Sequence, residues 1–197
     1  MELPVGEFIS QGLDKEVPVA ARTLLESNVK DEIKHDLALG FIVESHGSDP
    51  IAEMEAIRLR DAWIQHPDHT ITKALVAERA IFFVLLPMFR FLGDAALRTV
   101  SADISRDEQI HVATNSLVCR ELGLVPSNSL DKLRKATISW VLQPLKTSPD
   151  KHLDKSFWLD ASDRLMYEGK APQFADTKAA RMPAFFEHAN TNLPQYA

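Results

Sequence analysis

Residues 70–111 read TITKALVAERAIFFVLLPMFRFLGDAALRTVSADISRDEQIH. Gly93 and Asp94 split this stretch into two helical halves. Thr70 is placed to cap the first half, which runs to Phe91 or Leu92, and Asp94 to cap the second, which runs to Gly123 before Pro126. The run IFFVLLPMF is apolar on every side, so it belongs in a core. Pro87 lies inside that run and should kink the helix. If the halves fold back on each other about Gly93, Glu78 lies 15 residues before the turn and Glu108 lies 15 after it. At about 1.5 Å rise per residue, both carboxylates then stand roughly 22 Å from the turn, at one level.

Glu108 opens the string Glu108-x-x-His111, and the same string occurs 76 positions earlier as Glu32-x-x-His35. On a helix this spacing puts a carboxylate and an imidazole about one turn apart on one face, where both can reach a single ion. One such match is a loose pattern, and its bland counterpart is a surface contact worth a few tenths of a kcal/mol. Two matches, each inside a long helical stretch and one level with Glu78, are much harder to reach by accident. The first motif lies in a helix predicted over 18–46, with Pro18 in its first turn and Gly47 just past its end. Leu24, Leu25, Leu39 and Ile42 fall on or beside the face that carries Glu32 and His35.

Outward from these helices the pattern stays helical. A short helix is predicted over 3–14 and another from Asp49-Pro50 to Gln65, with Asp49 as cap. Weaker stretches follow at 128–142, 150–168 and 176–189. Strand alternation and flexible linkers are missing, so the expectation is one all-α domain over 1–197. Its metal-binding bundle would span about 3–123, with a helical extension over about 124–197.

Composition fits this. The 45% apolar and 25% charged content is close to that of average soluble domains, and only 7 glycines argue against a turn-rich β sandwich. A net charge of −6 gives no electrostatic case for nucleic acid or an anionic membrane surface. The single Cys119 excludes an internal disulfide framework and a multi-cysteine zinc site. The start, MELPVGEFISQG, lacks a basic, apolar leader, and the longest apolar run is far too short to span a bilayer. The expectation is a cytoplasmic protein.

Glu78 has Ala74, Leu75, Ile81 and Phe82 as helix neighbours. An isolated ionised carboxylate there would cost many kcal/mol, so it must be neutral, metal-bound or paired with an arginine such as Arg79, Arg90 or Arg106. Asp107, four residues before His111, is placed to hold the ring N–H of a ligating imidazole, and Asn115, four residues after it, can do similar polar work. Arg106 completes this polar surround. A fourth carboxylate is harder to place. Glu7 is favoured, although a turn near residue 16 leaves it about 10 Å shallower than Glu32. Glu2 fits the depth better, and Glu55 is a third option. His46, His66, His69, His152 and His188 have no partner at ligand spacing and read as loop or surface residues.

Residues 78–111, with ERAIFFVLLPMF followed by ISRDEQIH, resemble the metal-bearing small subunit of class I ribonucleotide reductase, and more broadly the ferritin-like carboxylate-bridged di-iron superfamily. The likeness covers 18–46 and 70–122. It implies a ferritin-like four-helix bundle whose helices supply two Glu-x-x-His strings and lone carboxylates to a pair of metals. By position it implies Glu32, His35, Glu78, Glu108 and His111 as ligands and Asp107 as the aspartate behind them. Where the reductase subunit carries a radical tyrosine, four residues after the first histidine, this chain has Leu39. Only Tyr167 and Tyr196 occur in the sequence.

The expectation is therefore two iron ions, or one manganese and one iron. Oxygen and imidazole donors without thiolate suit these metals. The implied activity is O₂ activation by an oxidase or oxygenase acting on a small hydrophobic substrate, in a pocket lined by Leu39, Phe82 and Phe83. Other readings are a redox subunit of a reductase-like complex docking through the tail NLPQYA, an iron-oxidising ferritin-like protein, and a helical interaction protein with a vestigial site. A homodimer is expected, with the C-terminal helices covering a partner.

Overall fold

The structure, a computed structural model, describes residues 3–13, 17–172 and 174. The predicted helix over 176–189, Glu2, His188 and the tail with Tyr196 lie outside the described residues. The protein is all-α. In order the helices are α1 (Val5–Leu13), α2 (Val19–His46), α3 (Pro50–Gln65), α4 (Thr70–Ala77), a π-helical segment (Glu78–Phe82), α5 (Phe83–Leu92), α6 (Ala95–Glu121), α7 (Asn128–Val141) and α8 (Lys155–Glu168). No described helix is long and apolar enough to cross a membrane.

Side-chain caps set several of these boundaries. Asp49 accepts from the Ile51 N–H at 2.9 Å with Pro50 at the first helical position, and Asp94 accepts from the Leu97 N–H at 2.9 Å. Thr70 is not the cap of α4. It is the buried first residue of that helix, and His69 Nδ1 accepts from the Ile71 N–H instead, at 3.2 Å. α8 starts later than the expected residue 150. Residues before it are held in turns, with Asp150 Oδ1 taking the His152 N–H at 2.9 Å and the Lys155 N–H reaching Lys146 O at 3.1 Å.

α1 packs on α2, α2 on α6, α6 on α4 and α5, and α4 returns to α1. The core between them is built from Phe8, Ile9, Leu25, Ile71, Val76, Ile81, Val84 and Val118, all nearly or fully buried. Two further helices, α7 and α8, lie against the π segment of the same chain.

The long 70–92 helix is interrupted earlier than its sequence suggests. α5 runs on through Pro87, and the break is the π segment, where the Phe83 N–H reaches back five residues to Glu78 O. Widening a helix by one residue per turn strands a carbonyl. Ser162 on α8 takes up Ala80 O with its hydroxyl at 2.6 Å, and the fully buried Arg134 on α7 donates to Ser162 Oγ at 2.6 Å and to Asp163 at 2.6 Å. The C-terminal helices thus brace the segment that begins with Glu78.

α3 is the loosest of the helices. Trp63 is its one buried residue, tied by its indole N–H to Thr137 Oγ1 at 2.9 Å. Lys73 holds the end of α3 through the carbonyls of Trp63 and Ile64 at 3.1 and 3.0 Å.

Candidate metal centre

α2 and α6 face each other and bring the two Glu-x-x-His strings together, while the π segment delivers Glu78 from the side. One ligand atom each from Glu32, Glu78, Glu108 and His111 falls within 4.8 Å of the others. Glu78 and Glu108 are fully buried, His111 is 1% exposed, and Glu32 and His35 are 5% exposed.

The two imidazoles flank the carboxylates. His111 Nδ1 lies 3.1 Å from Glu32 Oε1, 3.5 Å from Glu108 Oε2 and 3.9 Å from Glu78 Oε1. His35 Nδ1 lies 3.5 Å from Glu108 Oε1 and 3.7 Å from Glu32 Oε1. Glu32 and Glu108 therefore stand between the rings, each within reach of both. Glu78 sits on the His111 side.

These atoms are close without being bonded to one another. Glu32 Oε1, Glu78 Oε1, both oxygens of Glu108, His35 Nδ1 and His111 Nδ1 are buried and make no hydrogen bond. Buried polar atoms are ordinarily satisfied, and six converging exceptions call for an occupant. Donors about 2.1 Å from one ion are spaced about 3.0 to 3.4 Å apart, close to the separations seen here. The donor set fits a divalent cation between the rings on this observation alone.

The groups behind the donors are ordered the same way. Asn115 donates its Nδ2 to Glu78 Oε2 at 2.7 Å, which leaves Glu78 Oε1 turned toward the cluster. The other ring nitrogen of His35, Nε2, bonds Asp107 at 3.1 Å. Bonding Nε2–H to a carboxylate fixes the tautomer and leaves Nδ1 with a free lone pair. Asp107 thus serves the imidazole of the opposite helix, not His111 on its own helix as its spacing suggested. The reciprocal contact joins His111 Nε2 to Asp31 Oδ2 at 3.7 Å.

Asp31 was missed in the sequence, although a signal for it exists. The repeat is longer than four positions: Lys30-Asp31-Glu32-x-x-His35 matches Arg106-Asp107-Glu108-x-x-His111. The aspartate before each glutamate reaches the histidine of the other helix.

Charge follows the geometry. Burial disfavours the charged forms of both imidazoles, but Glu108 and Glu32 overcome it for each ring, with Asp107 adding to His35 and Glu78 to His111, and both are lifted to about 10. Burial and the nearby Glu108 push Glu78 well above the usual carboxylate range. For Glu32 burial acts upward, yet His111 and His35 hold it below its ordinary value. In the absence of a cation the cluster keeps protons on its rings at neutral pH, and a cation must displace them.

Other expected residues fall elsewhere. Glu7 is exposed on α1 and lines a pocket with Glu32. Glu55 accepts from the Trp140 indole at 2.7 Å on the surface of α3, so it is not part of the cluster. Arg106 is exposed and pairs with Asp103 at 3.2 Å, which removes it from the polar surround expected for it. Leu39 and Phe82 are half-buried. Phe83 lines a separate pocket with Arg79, Gln109, Val112 and Leu165, in which none of the clustered acids takes part. Of the discounted histidines, His66 bonds Ser129 at 3.2 Å, His46 pairs with Asp94 at 3.3 Å and His152 stacks on Phe91 at 3.8 Å.

No protein-family model, curated protein or solved structure matches this chain.

Proposed function

We propose that the protein is a ferritin-like, carboxylate-bridged di-metal protein that holds two iron ions, or one manganese and one iron, and uses them to activate O₂. The observation that carries this reading is the arrangement of two outer imidazoles with Glu32 and Glu108 between them, all with unbonded inward atoms. Two rings sharing a pair of carboxylates suit two ions side by side, and oxygen-rich, thiolate-free donors favour iron and manganese.

When bound, the pair would supply one-electron redox steps and open positions for O₂. The chain supplies the rest. Glu32, Glu78, Glu108, His35 and His111 would hold the ions, with Glu32 and Glu108 within reach of both rings. Asp107 holds the His35 ring in the ligating tautomer, Asp31 stands 3.7 Å from the His111 ring without a hydrogen bond to it, and Asn115 fixes Glu78. Leu25 and Ile81, fully buried on two of the elements that carry the cluster, would limit water on that side of it. We assign the activity to the oxidase or oxygenase class, with a small apolar substrate.

The test is anaerobic loading with ferrous iron followed by exposure to O₂. The expected result is prompt O₂ consumption with a new near-ultraviolet to visible absorption, and faster consumption when the true substrate is present. Iron-loaded protein that consumes no O₂ would rule the reading out.

A further inference from the structure

A cavity of about 540 Å³ lies between α1 and α2, and Glu32 is part of its lining. Glu32 therefore belongs to both the cavity and the buried cluster, where its Oε1 faces His111 without a hydrogen bond. The cavity also holds Glu7, Asp36 and Arg60. Glu7, Asp36 and Arg60 are exposed, and none makes an ion pair among the described residues. Three carboxylates against one guanidinium give the cavity a negative field, which concentrates cations. Gly6 keeps it open onto Glu32: a Cβ at Gly6 would lie 3.2 Å from Glu32 Cβ and 3.7 Å from its Cγ.

We propose that this cavity is the route by which divalent cations reach the buried centre, with Glu7 and Asp36 drawing the ion in and Glu32 receiving it. The proposal rests on the cluster being a metal centre, and it gives Glu7 a role other than that of ligand. Its geometry is simple: an exposed acid on α1, an exposed acid on α2 one residue past His35, and a nearly buried acid lining the same cavity. Arg60 opposes the traffic. Its charge sits in the same cavity, so its removal has the opposite effect to removal of an acid.

The experiment follows cobalt(II) uptake by metal-free protein in a stopped-flow instrument, through the visible absorption of the bound ion. Wild type is compared with Glu7→Gln, Asp36→Asn, the double variant, Arg60→Gln and Gly6→Val. Loss of both acids should slow uptake about tenfold at low salt, with the difference shrinking at high salt where the field is screened. Arg60→Gln should load faster than wild type. Gly6→Val should load slowly, and circular dichroism checks that it is folded. All folded variants should reach the wild-type cobalt content at saturation.

A double variant that loads at the wild-type rate, or an Arg60→Gln that loads more slowly, overturns the route while leaving the metal centre standing. A double variant that saturates at a lower content makes Glu7 or Asp36 a ligand and also overturns it. Wild-type protein that binds no cobalt, iron or manganese removes the metal centre itself, and the route with it.

Discussion

α2 and α6 carry the same six-position string and live in different surroundings. α6 buries Ser101, Ile104, Glu108, His111, Thr114, Asn115, Val118 and Cys119 along nearly its whole length. α2, one residue longer, buries Ala21, Leu25, Asn28, Glu32 and His35, and nothing after His35. On its outer half Leu37 is 62% and Phe41 61% exposed. Behind the ligands the contrast repeats. Asp107 on α6 makes a true hydrogen bond to His35 at 3.1 Å, while Asp31 on α2 stands 3.7 Å from His111. Asn115 on α6 fixes Glu78, and the matching position on α2 is Leu39. The α6 half is buried and backed by α4, α5 and the π segment, whereas the α2 half opens onto a cavity. On the proposed reading, the difference separates holding a cation from admitting one.

The comparison breaks most directly at the two glutamates. Glu108→Gln should abolish metal-dependent stabilisation, because both of its oxygens face the rings. The metal-free variant should also melt lower than wild type, since the two protonated rings lose the buried carboxylate that faces both of them. Thermal melts with and without manganese read both effects. Glu32→Gln should give a smaller loss, and an equal or larger one would undo the asymmetry.

The aspartates come next. Asp107→Asn should weaken metal affinity about 10- to 100-fold, the usual cost of removing a carboxylate that orients a ligating histidine. Asp31→Asn should cost less, given its longer contact. Titration calorimetry with manganese orders the two. A larger loss for Asp31→Asn would show that the 3.7 Å contact closes when metal binds.

On the braced side, Ser162→Ala leaves the Ala80 carbonyl and part of Arg134 unpaired, at about 1 to 3 kcal/mol. Denaturant unfolding gives that value. The same variant should weaken metal binding, because the π segment positions Glu78, and unchanged affinity would make the brace purely structural.

The charge state of the rings predicts a pH effect with a definite sign. His35 and His111 are raised from 6.5 to about 10 in the metal-free fold. Their stabilising share is complete below the unfolded value of 6.5 and is lost as pH rises toward 10. Metal-free protein should therefore melt lower at pH 9 than at pH 6.5, whereas metal affinity should rise over the same range as proton competition falls. Parallel trends would show that the rings are not ligands. The smallest effect belongs to the outer half of α2: Phe41→Ser should change stability by no more than about 0.5 kcal/mol in chemical denaturation, as expected for an exposed side chain.

Much of this molecule was legible in its sequence, for reasons that can be named. Asp49-Pro50, Gly93-Asp94 and Gly47 are local signals, and they mark real helix ends because capping depends on near neighbours. Equal spacing of Glu78 and Glu108 about Gly93 needs only helix rise to be read. What escaped depends on contacts between helices. The π segment at Glu78 is braced by Ser162, about 80 residues later in the chain, whose hydroxyl takes up Ala80 O, and no local signal announces that contact. Which ring Asp107 holds, His35, could not be read because spacing along one helix says nothing of which ring lies across from it. The exposure of Glu7 follows from α1 turning Phe8 and Ile9 inward, and only the packed structure shows that.

The most direct test of the whole account is the number of metal ions per chain after anaerobic ferrous loading and removal of excess, measured by plasma emission against quantified protein. The account predicts two per wild-type chain and fewer than one in Glu108→Gln. Wild-type chains that retain none, or a Glu108→Gln that retains two, would contradict it.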